Sequence, residues 1–181
     1  MSTDIRIKPG TLSEIGLFNG FIARLLGVAT GGPPPNVFTT LAKHRRLFRG
    51  WLFFASGLMP FGKLKRRETE LVILEVARLE GCSYEWVHHE RLGKKAGITD
   101  EEILALRDGK IDGFSERERA FLQAARDLFE DRILSEESFT ALKAIATEIE
   151  ILEVLLLIGH YQMLARVLNS VGTPLDGEPI D

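Results

Sequence analysis

Capping boxes mark the starts of helices along much of this chain. A hydroxyl residue stands three positions ahead of a glutamate in Thr99–Glu102, Ser115–Glu118 and Thr147–Glu150. In such a box, the hydroxyl oxygen accepts a hydrogen bond from the backbone N–H of the glutamate, and the glutamate carboxylate accepts one from the backbone N–H of the hydroxyl residue. Ser135 begins another helix in the same style, and no alternating apolar and polar run of strand type stands out. The sequence therefore predicts an all-α fold.

Glycine and proline mark the boundaries in the first third of the chain. An amphipathic helix over about residues 12–28 is followed by a stiff extended loop, Gly31–Pro35. Asn36 is expected to cap a helix that runs towards Met59 and is ended by Pro60. We therefore predict an N-terminal helix with a Pro-rich loop in residues 1–35, and one compact helical domain in residues 36–181.

Composition limits the partners that we expect. The 181 residues are 45% apolar and 27% charged, with a net charge of −3, so nothing favours nucleic acid or an anionic membrane. The longest apolar runs, Gly50–Met59 and Ile151–Ile158, are shorter than the roughly 18 residues that span a bilayer. No signal peptide is evident, and the single cysteine, Cys82, suggests a reducing compartment. We expect a cytoplasmic protein that binds neither nucleic acid nor membrane.

Ionisable side chains lie on apolar helix faces between residues 70 and 89. Two helices are expected to meet at Gly81–Ser83. At about 100° per residue, Glu70 shares a face with apolar residues in the first helix, and Glu85 and His89 do so in the second. Charges on an apolar face must be paired or titrate abnormally. Two carboxylates and an imidazole in one buried segment indicate an acid/base site.

A purely structural alternative exists for the same residues. Glu85 and His89 are four positions apart, so they could form a self-satisfied pair inside a helical bundle. A metal site is not expected, because the adjacent His88 and His89 point about 100° apart on a helix. Convergence of Glu70 on the same corner favours a functional site.

Further candidates lie beside this segment and on the last helix. Cys82 is either a buried apolar side chain or a thiolate favoured by a helix start. Tyr84 and Trp86 either line a substrate pocket or belong to the core. On the last helix, Glu153 and His160 share a face and are either a buried structural pair or part of a site, with His160 our candidate for substrate binding.

Three segments of the chain resemble the carboxymuconolactone decarboxylase / alkylhydroperoxidase D-like superfamily. They are NVFTTLAKHRRLFRGWL, GCSYEWVHHERLGKKAGITDEEI and the tail GHYQMLARVLNSVGTPLD, which is similar to the longer members. The resemblance implies an all-α, alkylhydroperoxidase D-like helical bundle that assembles as a trimer, a hexamer of two trimers, or a dimer. It implies a small-molecule substrate and neither metal nor cofactor.

The peroxidase branch of that superfamily carries the relay Glu-x11-Cys-x2-Cys-x3-His. Here the same spacing reads Glu70, Cys82, Glu85 and His89, so a glutamate replaces the second cysteine. In the family, peroxide oxidises that second cysteine and the first resolves it as a disulfide. With Glu85 in its place, the disulfide cycle cannot run.

The resemblance therefore favours the decarboxylase branch, which lacks the cysteine pair and in which YEW followed by histidine is common. We predict an enzyme that acts on a small carboxylate or lactone by general acid/base chemistry, as a decarboxylase-type lyase or an isomerase. Glu70, Glu85 and His89 are the candidate acid/base residues. The alternative is a thiol peroxidase that uses Cys82 alone, and a non-catalytic oligomeric scaffold is a third possibility.

Overall fold

The computed structural model describes residues 4–177, apart from the side chains of residues 29 and 30. Ten helices and no strand lie within this range, which confirms the predicted all-α class. The helices are α1 (Leu12–Ile15), α2 (Leu17–Thr30), α3 (Asn36–Leu41), α4 (Arg45–Leu58), α5 (Arg66–Leu79), α6 (Ser83–Lys95), α7 (Asp100–Arg107), α8 (Glu116–Glu130), α9 (Glu136–Ile145) and α10 (Glu148–Val171).

The chain packs as two compact units. One contains the residues up to Phe61 together with those from Val167 onward, and the other contains residues 62–166. The domain boundary predicted at residue 35 stays a prediction. All of the candidate acid/base residues lie in the second unit.

The first unit corrects two boundaries predicted from the sequence. The single helix expected over residues 12–28 is two helices, because Gly16 breaks it with a φ of 80°, a value that glycine adopts readily. The helix expected to run from Asn36 towards Met59 is also two, and the side chain of His44 caps the second by accepting a hydrogen bond from the Leu47 N–H.

Asn36 does not cap a helix with its side chain. Its amide nitrogen donates to the carbonyls of Pro174 (3.2 Å) and Leu175 (3.3 Å). Its backbone N–H donates to the Asp176 carboxylate at 2.8 Å. The residue thus fastens the C-terminal segment, a role that depends on a contact about 140 positions along the chain.

In the second unit, α5 lies at the centre. Every residue from Glu68 to Ala77 is buried, and α5 packs against α6, α7 and α8. Leu71 and Leu74 on this helix join Ile98, Leu106 and Leu122 in the apolar core. A helix surrounded on all sides places its polar side chains in contact with partners from several other helices.

Local signals for helix ends were reliable in this unit. The boxes opening α7, α8 and α10 all form, and Ser135 caps α9 by accepting from the Ser138 N–H. Gly109 follows the end of α7 with a φ of 74°, and Gly81 separates α5 from α6 with a φ of 62°.

Two further carboxylates of α5, those of Glu68 and Glu75, are buried. Glu75 is fully buried and accepts from Arg78 (2.7 Å) and Arg126 (2.7 Å). Glu68 is buried against Arg117 at 3.0 Å. Burial is possible because arginines supplied by α8 neutralise both carboxylates.

The last helix is apolar over most of its length. An 18-residue window of α10 has a mean hydropathy of 1.5, so by length and composition alone this helix could cross a membrane. This was not expected from the sequence, where the apolar run Ile151–Ile158 is only eight residues long. Half of this 18-residue stretch is buried inside the protein, and core helices of soluble proteins can have the same length and hydropathy.

Candidate functional site

The turn between α5 and α6 brings Glu70, Glu85 and His89 together. His89 Nδ1 lies 2.7 Å from Glu70 Oε2, and His89 Nε2 lies 3.2 Å from Glu85 Oε2. The imidazole therefore bridges two carboxylates, one from each helix. All three side chains are buried, which confirms the predicted convergence of the three residues.

Arg66 completes the cluster. Its guanidinium forms an ion pair with Glu70 one helical turn away, on the carboxylate oxygen that does not contact His89. Glu70 has no exposed surface, whereas the Arg66 side chain is 46% exposed. A buried carboxylate requires such partners. Arg66 was not among the residues predicted from the sequence, although its spacing of four residues from Glu70 was a usable signal.

The two carboxylates determine the protonation state of His89. Burial by itself lowers the pKa of this imidazole, but the charges and hydrogen bonds of Glu70 and Glu85 outweigh it and raise the pKa to about 9. His89 is therefore an imidazolium at neutral pH and donates an N–H to each carboxylate.

Tyr161 on α10 forms one wall of the site. Its ring packs edge-to-face on His89, with centroids 5.2 Å apart and planes at 89°. Burial raises the pKa of the Tyr161 phenol well above its usual range, so the hydroxyl stays protonated. Tyr161 was not predicted from the sequence, where its one signal is its position next to His160.

His160 is buried on the same helix and packs against Tyr161, with ring centroids 5.1 Å apart. Burial lowers the pKa of His160, and the negative charge of Glu85 only partly opposes this, so the imidazole is neutral at pH 7. The predicted substrate-binding role of His160 stays a prediction. Glu153, expected to pair with it, instead accepts hydrogen bonds from the backbone N–H groups of Lys63 and Leu64 at 2.7–3.0 Å.

The two aromatic candidates on α6 have different surroundings. Tyr84 is buried and stacks on His88, with ring centroids 6.1 Å apart. Trp86 packs against the apolar core, donates its indole N–H to Glu90 at 2.9 Å, and lies under the guanidinium of Arg107. These contacts favour the core alternative for Trp86.

Cys82 lies directly before the first residue of α6 and is buried. Burial raises the pKa of its thiol to about 11, although hydrogen bonds from the backbone of Glu85 and Tyr84 act in the opposite direction. Of the two alternatives for Cys82, these observations favour the buried apolar side chain over the thiolate, because desolvation is the larger effect.

The cluster is suited to moving protons. His89 holds a donor on each ring nitrogen, and the bond to the fully buried Glu70 is shorter than the bond to Glu85. Glu85 and His89 retain 4% and 6% exposure, respectively, against none for Glu70. The small remaining exposure of these three side chains therefore lies on Glu85 and His89, not on Glu70.

Comparisons with known proteins agree with this fold. The model of the carboxymuconolactone decarboxylase family matches residues 45–127, which include α4 to α7 and most of α8. Among curated protein sequences, none matches the chain.

Several solved structures share the whole architecture at low sequence identity. An uncharacterised peroxidase-related protein from Silicibacter sp. TM1040 has a TM-score of 0.83 at 15% identity, with 98% of this chain and 96% of that chain covered. A Cys-to-Ala variant of the debrominase Bmp8, in complex with 2,3,4-tribromopyrrole, has a TM-score of 0.81 at 17% identity, with coverages of 98% and 95%.

A third structure is the alkylhydroperoxidase AhpD core of a peroxidase-related protein from Ralstonia eutropha JMP134. It has a TM-score of 0.80 at 21% identity, and the match covers 94% of this chain and 93% of that one. The family match over residues 45–127 and the common all-helical fold support assignment of this chain to the carboxymuconolactone decarboxylase / alkylhydroperoxidase D-like superfamily.

Proposed function

We propose that the protein is an enzyme of the carboxymuconolactone decarboxylase family that transfers protons to or from a small carboxylate or lactone. The observation that carries the proposal is the buried imidazole of His89 held between Glu70 and Glu85. An imidazolium with a pKa of about 9 is a competent acid at neutral pH and becomes a base after it has given up its proton.

Each member of the cluster has a distinct role in this proposal. Glu70 fixes the ring through Nδ1 and is itself held by Arg66. His89 Nε2, on the longer bond, is the atom that delivers the proton. Glu85 is the carboxylate next to the reacting atoms, where it receives or returns a proton. The half-exposed guanidinium of Arg66 supplies positive charge beside the site for an anionic substrate.

In a decarboxylation, the bond between the carboxylate carbon and its neighbour breaks, carbon dioxide leaves, and the bonding electrons pass into a conjugated lactone to give a dienolate. His89 then transfers the Nε2 proton to carbon, and solvent reprotonates the imidazole. In an isomerisation, Glu85 removes a proton from one carbon and the cluster returns it to another. Both reactions require the same residues.

The alternative is a thiol peroxidase that depends on Cys82. A carboxylate at position 85 cannot form the sulfenic acid of the two-cysteine cycle. The raised pKa of the buried Cys82 thiol disfavours attack on a peroxide at neutral pH. Both observations support acid/base chemistry over thiol chemistry.

A panel of activity assays distinguishes the acid/base enzyme from the thiol peroxidase. Small carboxylic acids and lactones are assayed for carbon dioxide release and for proton exchange in deuterated water, beside hydroperoxides with added thiol and 2,3,4-tribromopyrrole. We expect Glu85→Gln and His89→Ala to lower turnover of an acid or lactone by roughly 10²–10⁴-fold. Cys82→Ser is the matched control and should leave that turnover largely unchanged. Peroxide turnover or debromination that disappears in Cys82→Ser would instead establish the thiol chemistry.

A further inference from the structure

The second unit contains a groove lined by none of the acid/base residues. Its volume is about 710 Å³, and its walls come from the end of α8, the turn into α9, α9 itself and the middle of α10. Sites for small organic ligands commonly measure roughly 300–1,000 Å³. The groove is therefore large enough for a small-molecule ligand.

Most of the groove wall is apolar. It includes Leu128, Leu134 and Leu155, together with two side chains that project far into solvent. Ile133 is 70% exposed and Phe139 is 42% exposed. Large apolar side chains grouped around a concave surface indicate a binding site for an alkyl or aryl group.

Gly159 keeps the α10 wall of this groove open. It lies in the middle of a 24-residue helix, where glycine is less favourable than alanine. No atom of a neighbouring residue lies within 4 Å of the position that a Cβ would occupy, so close packing does not require glycine here. Gly93 is different, since a Cβ there would meet Ile98 Cδ1 at 2.9 Å. A larger side chain at position 159 would project from the groove wall.

The charges of the groove favour an anion. Two arginines, Arg132 and Arg166, line it against a single carboxylate, Glu136. Arg166 is paired with Glu80 at 2.7 Å, whereas Arg132 makes no ion pair within residues 4–177. In the groove wall, the buried Nε2 of Gln162 likewise has no hydrogen-bond acceptor among the described residues. Arginine is well matched to a carboxylate, which can accept two parallel hydrogen bonds from its guanidinium.

We propose that this groove binds a small amphipathic carboxylate, such as a medium-chain fatty acid. The alkyl chain lies against Leu128, Ile133 and Phe139, and the carboxylate pairs with Arg132. The site is separate from the acid/base cluster, and the proposal does not depend on the proposed function.

Calorimetric titration of the full chain with decanoate, below its micelle concentration, tests the proposal. Decanol is the uncharged match. We expect decanoate to saturate one site per chain with a submillimolar Kd and to bind at least 10-fold more tightly than decanol. Absence of saturable decanoate binding, or equal affinity for the two probes, would overturn the proposal.

Two substitutions locate the site. Gly159→Leu places a side chain in the groove and should weaken decanoate binding at least 10-fold, with a thermal midpoint no lower than that of the wild type. Arg132→Gly removes the cation, and glycine readily adopts the φ of 65° found at this position. This substitution should weaken decanoate binding about 10-fold without changing decanol binding. Arg119→Ala, which removes an exposed charge of α8 outside the groove, is the control and should change neither.

The same substitutions test whether something other than a small carboxylate occupies the groove. If Gly159→Leu changes the sedimentation coefficient of the protein, a second copy of the chain covers the groove and the proposal is wrong. If decanoate binds equally well to wild type and Arg132→Gly, the bound carboxylate lies elsewhere, and this result decides the matter even if Gly159→Leu fails to fold.

Discussion

His89 is the side chain whose protonation affects both stability and chemistry. Its pKa is about 9 in the folded chain, against an ordinary value of 6.5. A raised pKa contributes stability that is fully present below pH 6.5 and is lost as the pH rises through about 9. The free energy of unfolding should therefore fall by about 1.4 kcal/mol per pH unit within this window.

Urea unfolding of wild type and His89→Gln between pH 6 and 9.5 measures this contribution. Glutamine keeps a donor for Glu70 but does not titrate, so the variant should show a flatter dependence over the same range. Glu85→Gln is the second comparison, and it should lower the pKa of His89 measured by NMR. Parallel pH dependences in wild type and His89→Gln would contradict the assignment.

Cys82 should be slow to react in the folded protein. At pH 8, a thiol with a pKa of about 11 holds roughly 100-fold less thiolate than an ordinary cysteine, and burial restricts access further. We expect labelling by a disulfide reagent at least 100-fold slower than in the urea-unfolded chain. Labelling at similar rates in both states would show that the folded chain exposes a reactive thiolate and would revive the peroxidase alternative.

Helix α5 buries carboxylates that depend on charged partners, including partners from other helices. Its Glu75 has no exposed surface and is held by Arg78 and Arg126. Glu75→Gln leaves two guanidinium groups without their carboxylate, which should lower the free energy of unfolding by about 3–5 kcal/mol. The control is Asp108→Asn, since the exposed pair of Asp108 and Lys110 is worth no more than about 1 kcal/mol. Similar losses in both variants would contradict the argument.

For the whole protein, exposed apolar side chains predict self-association. Leu17, Phe18 and Phe21 are all more than 60% exposed in the first unit, and Phe53 is 85% exposed. Surfaces of this kind usually form contacts between proteins. We expect a homo-oligomer at micromolar concentration in sedimentation, and Phe53→Glu to weaken it at least 10-fold, while Arg119→Glu does not. A stable wild-type monomer would refute this prediction.

Features that depend on neighbouring residues could be predicted from the sequence, whereas features built by distant contacts could not. The capping boxes were confirmed because a helix start is decided within four residues. Glu70, Glu85 and His89 were found because apolar helix faces must be buried. Tyr161 was missed because α10 brings it to His89 from 72 positions further along the chain.

Two positive groups, Arg66 and His89, meet two negative ones, Glu70 and Glu85, so the positive and negative charges of the cluster balance. An anion that enters beside His89 would give the cluster a net charge of −1. Such an excess charge is costly in a poorly hydrated space. Proton uptake from solvent would restore the balance. Affinity for an anionic ligand would then rise as the pH falls, so that the pH of its surroundings would govern how much ligand the protein holds.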